Sequence, residues 1–205
     1  MKLKRITVGS FEVNCYIIIS NSNRAIIIDP AAESKKIKEF LEQNKITPSF
    51  ILHTHAHIDH IKGDKDFFLP IYIHRKDLPL LKDPLLNLSK WFTEPFTLES
   101  EIVIFDSDQS INLDEINLKV IHTPGHTPGS SCFLFLNHQS KILFSGDTLF
   151  RSGIGRTDFP GGCQAELIKS VKEKLFSLDD DTVVYPGHGP ATNIGQEKEH
   201  FHFLK

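Results

Sequence analysis

The chain has 205 residues, with 23 Lys and Arg against 26 Asp and Glu, a formal net charge of −3 and 40% hydrophobic residues. This balance excludes the strongly basic surface typical of proteins that bind nucleic acid or anionic membranes, so a small-molecule partner is expected. The first residues lack a secretory signal pattern and no apolar run reaches the length of a membrane span, which predicts a soluble cytoplasmic protein.

The three cysteines, Cys15, Cys132 and Cys163, are far apart and outside any CxxC motif. Their odd number and spacing argue against a disulfide framework and a thiolate metal site, and predict buried free thiols. No repeat, low-complexity tract or flexible linker divides the chain. We therefore expect one continuous domain over residues 1–205, as a monomer or small homo-oligomer.

In the first half, short apolar strands are predicted over 2–9, 14–20, 24–30, 49–54 and 71–75. A helix is predicted over 33–44, where Ile37, Phe40 and Leu41 recur at helical spacing, and another after His60. Residues 77–100 carry three prolines among Leu, Trp and Phe without a clean period. Short helices and loops are expected there, packed either as a lid or as part of the core.

The second half resumes strands over 101–106, 117–123, 130–137, 141–147 and 182–188, with one amphipathic helix over 164–178. Strands and helices alternate in both halves. This alternation indicates mixed α and β structure, with apolar sheets covered by helices.

Four of the predicted strands end in a small-residue turn that bears His or Asp. Strand ends are where loops converge above a rigid sheet. If these ends lie side by side, they bring together seven candidate metal ligands: His55, His57, Asp59, His60, His126, Asp147 and His188. Burying so many titratable groups is costly unless cations organise them, and two divalent ions of the zinc or iron kind fit this donor set.

Each motif alone has an ordinary alternative. A single HxH is more often a pair of surface histidines, and Asp147 before Thr148 is typical of a turn or helix cap. Their joint occurrence at four strand ends favours the metal site. Six other histidines lack such placement and are expected to be structural or on the surface, with His122 a candidate support for the ligands: His53, His74, His122, His138, His200 and His202.

The motif THAHIDH at 54–60 resembles the THxHxDH signature of the metallo-β-lactamase superfamily, and TPGHTPGS, SGDTLF and YPGHG resemble its later metal motifs. The resemblance implies an α+β fold, a four-layer αββα sandwich with a dinuclear centre. It implies one metal held by His55, His57 and His126, the other held by Asp59, His60 and His188, and Asp147 as a bridge between them. Two Zn²⁺ ions are expected, with iron or manganese as alternatives.

GSFEVNCY, IIIDPAA and GIGRTDFPGG resemble the hydroxyacylglutathione hydrolase (glyoxalase II) branch, in a short form without its C-terminal helical domain. This implies a thioesterase that cleaves S-lactoylglutathione or a related hydroxyacyl-glutathione thioester. In this hypothesis a metal-bridging hydroxide attacks the carbonyl, and Asp59 and Asp147 are the catalytic residues. Gly189 and Pro190 replace the acidic residue and tyrosine usual in that branch, which leaves glutathione selectivity open.

Arg156 is the candidate substrate-binding residue, because a guanidinium suits a glutathione carboxylate, but an ion pair with Asp158 is an equal alternative. In the best-known class of β-lactamases of this superfamily, a Cys replaces a ligand of the second metal site. This chain has His60 and Asp147 at that site, which argues against lactam hydrolysis as the main activity.

The competing hypothesis is a persulfide dioxygenase, whose members show a segment similar to IGRTDFPGGC and hold one iron, here by His55, His126 and Asp147. The PGHGP segment favours the hydrolase. A metal-holding binding module without turnover is a third hypothesis, disfavoured by the intact ligand set and testable by Asp59→Ala.

Overall fold

The computed structural model describes residues 1–136 and 141–201, so His138, His202 and the predicted end of the 130–137 strand at Asn137 lie outside the described residues. The first half of the chain forms one sheet of six strands. In spatial order these are β1 (Lys2–Val8), β2 (Val13–Ile19), β3 (Arg24–Ile28), β4 (Thr47–Leu52), β5 (Ile71–His74) and β6 (Ile102–Phe105). The first three strands pair antiparallel and the last four pair parallel.

Four short helices connect these strands: α1 (Ser34–Gln43), α2 (Ile58–Ile61), α3 (Leu78–Lys82) and α4 (Ser89–Phe92). Single 3₁₀ turns span Asp64–Asp66 and Arg75–Asp77. The parallel connections need crossovers, and α1 supplies the first of them between β3 and β4.

The second half forms a second six-stranded sheet. Its strands are β7 (Ser110–Leu113), β8 (Ile116–His122), β9 (Ser131–Leu136), β10 (Lys141–Gly146), β13 (Val183–Pro186) and β14 (Thr192–Asn193), in the spatial order β14-β13-β10-β9-β8-β7. A small hairpin of β11 (Leu149–Phe150) and β12 (Gly153–Ile154) follows β10. The helical elements are α5 (Gln164–Lys169), a π-helical turn (Ser170–Leu175) and α6 (Ile194–His200).

The two sheets pack face to face, and helices cover both outer faces. Every residue of β2 is buried, because Ile18 packs between the sheets while Ile17 faces the helices. Ile37 and Leu41 bury one stripe of α1 against the first sheet, and Val171 and Leu175 cover the second. These layers confirm the predicted α+β, four-layer αββα sandwich. Within the described residues, no helix is long and apolar enough to cross a membrane.

Several local predictions need correction. The helix expected after His60 begins earlier, at Ile58, and is one turn long, because the His60 carbonyl accepts a hydrogen bond from Ala31 N (2.8 Å) instead of continuing the helix. The helix expected over 164–178 changes to π-helical geometry at Ser170 and ends at Leu175. Strands β7, β11, β12 and β14 and helix α6 were not predicted. They are short, and edge or two-residue strands carry little periodic signal.

Two open expectations are answered by burial. Segment 77–100 is both core and cavity wall, since Leu81 and Leu98 are buried whereas Trp91 and Phe92 are half-exposed. All three cysteines are free; Cys15 and Cys132 are buried as expected, but Cys163 is partly exposed at the start of α5.

The carboxyl ends of several strands meet at one edge of the sandwich. Strand β10 pairs parallel with β13, and β8 runs in the same direction as both, since β9 pairs antiparallel with β8 and β10. Contacts between the sheets fix this edge: Asn14 N donates to Gly187 O (2.7 Å), and Tyr16 OH donates to Pro186 O (2.7 Å). The turns that follow β4, β8, β10 and β13 therefore converge.

Candidate metal centre

The structure brings all seven predicted ligands to this edge. The turn after β4 carries His55 and His57, and α2 carries Asp59 and His60. The second sheet supplies the remaining three from the turns after β8, β10 and β13: His126, Asp147 and His188. Their donor atoms form three overlapping triads, each within 4.8 Å: His55, His57 and His126; His55, His60 and Asp147; and Asp59, His60 and His188.

Asp147 lies at the centre of the cluster. Its Oδ1 is 3.5 Å from His60 Nε2, and its Oδ2 is 3.6 Å from both His126 Nε2 and His188 Nε2. Asp59 Oδ2 is 3.4 Å from His188 Nε2. One carboxylate thus faces imidazoles of both halves of the cluster.

Four of the imidazoles have their outer nitrogen committed to a hydrogen bond. Nδ1 of His60 donates to Asp29 (3.0 Å), Nδ1 of His126 to the Arg156 carbonyl (2.7 Å) and Nδ1 of His188 to the Phe11 carbonyl (2.8 Å). His55 Nδ1 lies 3.1 Å from Thr54 Oγ1, whose own proton is donated to Asp29, so His55 is the donor there. When such a ring is neutral its lone pair is on Nε2, which faces the cluster.

His57 has the opposite orientation. Its Nδ1 faces the cluster, 2.9 Å from His126 Nε2. Buried polar atoms without a hydrogen-bond partner in the described chain include Nε2 of His55 and His60 and Oδ1 of Asp147, which face the cluster, and Nε2 of His57, on the other side of its ring. Buried polar groups are normally paired, so three unpaired groups facing one point are the feature expected of a cation site.

Asp29, at the carboxyl side of β3, organises the ligands from behind. Its carboxylate accepts hydrogen bonds from Thr54 N (3.0 Å), Thr54 Oγ1 (2.6 Å) and His60 Nδ1 (3.0 Å). It also accepts from His53 Nδ1 (3.2 Å), and His53 Nε2 donates to Asp64 (2.8 Å). The predicted structural role of His53 is thus to tie two buried carboxylates together beneath the site.

Asp77 holds the two ligand-bearing turns against each other. Its carboxylate accepts from Ala56 N (3.1 Å), between His55 and His57, and from Thr127 Oγ1 (2.8 Å) and Gly129 N (2.6 Å) beyond His126. Burial raises its pKa to about 6, against the opposing effect of these hydrogen bonds.

The charge states in the cluster suit a cation. Burial together with neighbouring imidazoles lowers the pKa of His55 and brings that of His57 to about 3, so both are neutral near pH 7. Burial alone would raise the pKa of Asp59 and Asp147, but His60 and other imidazoles lower both. Neutral imidazoles and ionised carboxylates are the protonation states that bind metals.

His60 differs from the other ligands. Burial would lower its pKa, yet the carboxylates of Asp59, Asp147 and Asp29 raise it well above the ordinary value. Three carboxylates around one ring place an excess of negative charge at this half of the cluster, where a bound cation would compensate it.

Close packing leaves no room at two glycines. A Cβ at Gly187 would collide with Asp147 Oδ1 and lie 2.9 Å from the His60 ring, and a Cβ at Gly146, which has a φ of +48°, would collide with Thr54 Oγ1. Glycine allows the turns after β10 and β13 to approach the ligands this closely.

A cavity of about 470 Å³ opens over the cluster. Arg156 lines it, and the guanidinium makes two 2.7 Å hydrogen bonds to Asp158 while stacking 4.0 Å from the Phe159 ring centroid. His122 is not beside the ligands: its Nε2 donates to the Pro128 carbonyl (2.9 Å) and its ring stacks on His74 at 4.1 Å. Of the other histidines without a predicted role, His200 is exposed.

Sequence reasoning missed the supporting carboxylates Asp29, Asp64 and Asp77, and the aromatic side chains of the cavity wall. Asp29 gave the clearest available signal, since it ends an apolar strand as the predicted ligands do. Asp64 and Asp77 have no comparable local pattern.

An αββα sandwich with a cluster of His and Asp side chains at one edge is the arrangement of a class of metal-binding proteins. A family model described as "Metallo-beta-lactamase superfamily" matches residues 8–188, and the chain belongs to that superfamily. Among its relatives is "Hydroxyacylglutathione hydrolase GloC" of Haemophilus influenzae, 36% identical over 100% of this chain and 98% of that protein. "Probable metallo-hydrolase YqgX" of Bacillus subtilis is also 36% identical, with the same coverage.

Solved structures share the fold over nearly the whole chain. "BLEG-1 B3 metallo-beta-lactamase" is 37% identical with a TM-score of 0.91 and 99% of each chain covered. "TTHA1623 in a di-iron-bound form" is 32% identical with a TM-score of 0.82, covering 98% of this chain and 100% of that one. ETHE1 from Myxococcus xanthus, at 24% identity and a TM-score of 0.76 over 98% of this chain and 83% of that one, shows likeness of fold alone.

Proposed function

We propose that the protein is a metal-dependent thioesterase that hydrolyses hydroxyacyl-glutathione thioesters or related thioesters. The observation that carries the proposal is the buried cluster of unpaired imidazole nitrogens and ionised carboxylates beneath an open cavity. The relative named hydroxyacylglutathione hydrolase supports thioesters as the substrate class.

The residues fit two divalent ions. One set of donors is His55, His57 and His126, the other is Asp59, His60 and His188, and Asp147 faces both. The 2.9 Å approach of His57 Nδ1 to His126 Nε2 brings together two nitrogens that one shared ion would accept as ligands. Zinc suits nitrogen and carboxylate donors, and the di-iron form of a related structure makes iron the main alternative.

Bound divalent ions supply two effects in such a site: they lower the pKa of water and they polarise a carbonyl. The chain's own groups determine the rest. Asp59 and Asp147 are ionised and face the cavity, so their oxygens accept hydrogen bonds from an attacking water and orient it. The leaving thiolate needs little protonation because a thiol has a pKa of about 8.5. Water adds to the carbonyl carbon, the C–S bond breaks, and a carboxylic acid and a thiol are released.

Arg156 is proposed to contact a substrate carboxylate, which requires that carboxylate to replace Asp158 on the guanidinium. Its backbone has a second role, because the Arg156 carbonyl fixes the ring of His126.

The proposal is tested with purified protein loaded separately with zinc, iron and manganese. S-lactoylglutathione and a panel of other thioesters are followed by thiol release, with metal content measured on the same samples. Hydrolysis that is lost on chelation and restored by metal is the expected result. A fully metal-loaded protein that releases no thiol from any panel member contradicts it.

Two further candidates belong in the same assay. Because BLEG-1 is described as a metallo-β-lactamase, the assay also includes a β-lactam substrate, a chromogenic cephalosporin. The dioxygenase hypothesis predicts one iron per chain and oxygen uptake with glutathione persulfide. It would use only His55, His126 and Asp147, which leaves unexplained why Asp59, His60 and His188 converge within 4.8 Å.

A further inference from the structure

Aromatic side chains from separate parts of the chain form a wall around the cavity. Phe11 comes from the β1–β2 turn, Phe92 from α4, Phe150 from β11 and Phe159 from the segment after β12, and all four line the cavity. Trp91 precedes Phe92 in the chain and contacts the Phe159 ring. We call these five residues the aromatic wall.

Four rings of the aromatic wall, those of Phe11, Phe92, Phe159 and Trp91, contact one another. Phe11 meets Phe92 edge to face at 5.8 Å, Phe92 meets Phe159 at 6.1 Å, and Trp91 meets Phe159 at 5.9 Å between centroids. The wall reaches the ligands at two points, where Phe159 lies 5.9 Å from His57 and Phe150 lies 6.2 Å from His188. A group attached to a carbonyl at the cluster therefore lies against aromatic faces or edges.

Three members of the wall remain open to solvent without a structural reason. Phe11, Trp91 and Phe92 are 45%, 52% and 48% exposed. Exposed aromatic side chains of this size lose the free energy that burial would provide. A contiguous exposed apolar patch beside a pocket is typical of a binding surface.

The wall offers little to a charged peptide. Arg156 is the only Lys or Arg among the described residues that line the cavity, and its guanidinium is already paired with Asp158 by two hydrogen bonds. A small hydroxyacyl group would leave most of the aromatic surface without contact, and a charged tripeptide would lose hydration against it.

We infer that the preferred thioester carries a bulky apolar or aromatic acyl group, seated on the aromatic wall with its carbonyl at the ligand cluster. This inference rests on the proposed thioesterase function and narrows its substrate class. The reaction is unchanged: water adds to the carbonyl, the C–S bond breaks, and a bulky apolar or aromatic carboxylic acid leaves with a free thiol.

Binding is tested without turnover by thioether analogues, in which a methylene replaces the carbonyl. S-(2-phenylethyl)-N-acetylcysteamine is compared with S-ethyl-N-acetylcysteamine by calorimetry, with and without metal. Trp91 is the only tryptophan of the chain, so its fluorescence reports binding at the wall. The phenyl compound is expected to bind about tenfold tighter and to change Trp91 emission.

Variants locate the preference. Phe92→Ala is expected to remove most of the tenfold difference, and Phe92→Leu, which keeps apolar volume without the ring, to remove part of it. Phe68→Ala is the matched control, since Phe68 is 92% exposed and outside the cavity lining. Equal affinity for the two thioethers, or a difference that Phe92→Ala leaves intact, overturns the inference.

Turnover separates this inference from the proposed function. N-acetylcysteamine thioesters of acetate, lactate, phenylacetate and benzoate share one neutral thiol, and S-lactoylglutathione is included beside them. A roughly tenfold higher kcat/KM for the aromatic acyl groups supports the inference. A preference for S-lactoylglutathione over all of them overturns it while supporting the proposed function. Absence of thiol release from every thioester contradicts the proposed function, whereas the binding comparison still stands.

Discussion

Two groups of histidines lie in the described part of the chain: the ligand cluster at the sandwich edge, and the stacked pair His74 and His122. In the cluster, each ring except that of His57 is held by Nδ1 and presents Nε2 to ionised carboxylates. In the pair, His74 Nδ1 accepts from Lys76 N (3.3 Å), His122 Nε2 donates to Pro128, and the rings lie 8° from parallel. No carboxylate among the described residues forms an ion pair with either ring.

The contrast shows that proximity of histidines is a weak indication of a metal site. What distinguishes the cluster is the combination of unpaired nitrogens with carboxylates that compensate a cation. In the pair, burial and the other ring lower the pKa of His74 to about 4, and both rings are neutral near pH 7. Four predictions test this distinction.

The largest effect is expected from Asp147→Asn, because Asp147 faces both halves of the cluster. Loss of its charge should remove at least one equivalent of metal and lower kcat/KM by roughly 1000-fold, the equivalent of about 4 kcal/mol of transition-state stabilisation. Metal analysis and thiol release measure the two effects. Asp108→Asn, at an exposed position, is the control; full metal occupancy in Asp147→Asn would refute the assigned role.

Gly187→Ala tests how closely the cluster is packed. The added methyl group must displace Asp147 or His60, so metal affinity should fall roughly 10- to 100-fold. Competition with a chelator gives the affinity. Gly153→Ala adds the same methyl group where nothing lies within 4 Å, and it should bind metal as the wild type does. Similar affinities for the two variants would show that the turn after β13 can shift to accommodate the methyl group without displacing a candidate ligand.

Asp29→Asn tests whether the hydrogen bond from His60 Nδ1 to Asp29 contributes to metal binding. An amide accepts fewer hydrogen bonds and carries no charge, so the hold on His60 weakens, and metal affinity is expected to fall about tenfold. Asp64→Asn is the comparison variant, because the hydrogen bond of Asp64 is to His53 and not to a candidate ligand. Its effect on metal affinity should be the smaller of the two. The reverse order would mean that Asp29 does not act by positioning His60.

The smallest effect concerns the stacked pair. The pKa of folded His74, about 4, lies below its unfolded value of about 6.5, so the unfolded state binds more protons between these pH values. Stability contributed by neutral His74 is therefore lost as pH falls through this window. Facing charges are Asp106, Arg75 and Lys76 near His74, with Lys174 and Glu166 near His122.

His74→Asn keeps a side-chain acceptor for Lys76 N and removes the titration. Between pH 7 and pH 5 the wild type should lose roughly 1 kcal/mol more unfolding free energy than this variant, measured by urea denaturation. Metal content should be unchanged. His200→Asn is the exposed control. An identical pH dependence of the unfolding free energy in the wild type and His74→Asn would show that His74 does not contribute to the loss of stability at low pH.

Mixed α and β structure and the convergence of the seven candidate ligands could be predicted because the information is local, whereas the four-layer αββα arrangement is implied by the family resemblance. Apolar runs such as those of β4 and β10 end in glycine-containing or polar turns, and each turn carries its own His or Asp. The division of the candidate ligands between two ions comes from the resemblance, and the boundaries of α2 depend on the hydrogen bond from Ala31 to His60.

The rest depends on contacts between distant segments. Asp64 and Asp77 do not follow an apolar strand directly, and only folding places one against His53 and the other between the turns of His55 and His126. The aromatic wall has the same character, since Phe11 and Phe159 are far apart in sequence and share no motif.

The bonds that join Asn14 and Tyr16 to the chain after β13 have a consequence for how the protein folds. Asn14 Nδ2 donates to Gly189 O and Tyr16 OH to Pro186 O, across 175 and 170 residues. Contacts of such separation close a long loop at an entropic cost. His188 is held in place by the joining of the two sheets, so an ion bound by His188 would stabilise that joining. Metal removal is therefore expected to weaken the contact between the two halves of the chain and not only the turn that carries His188.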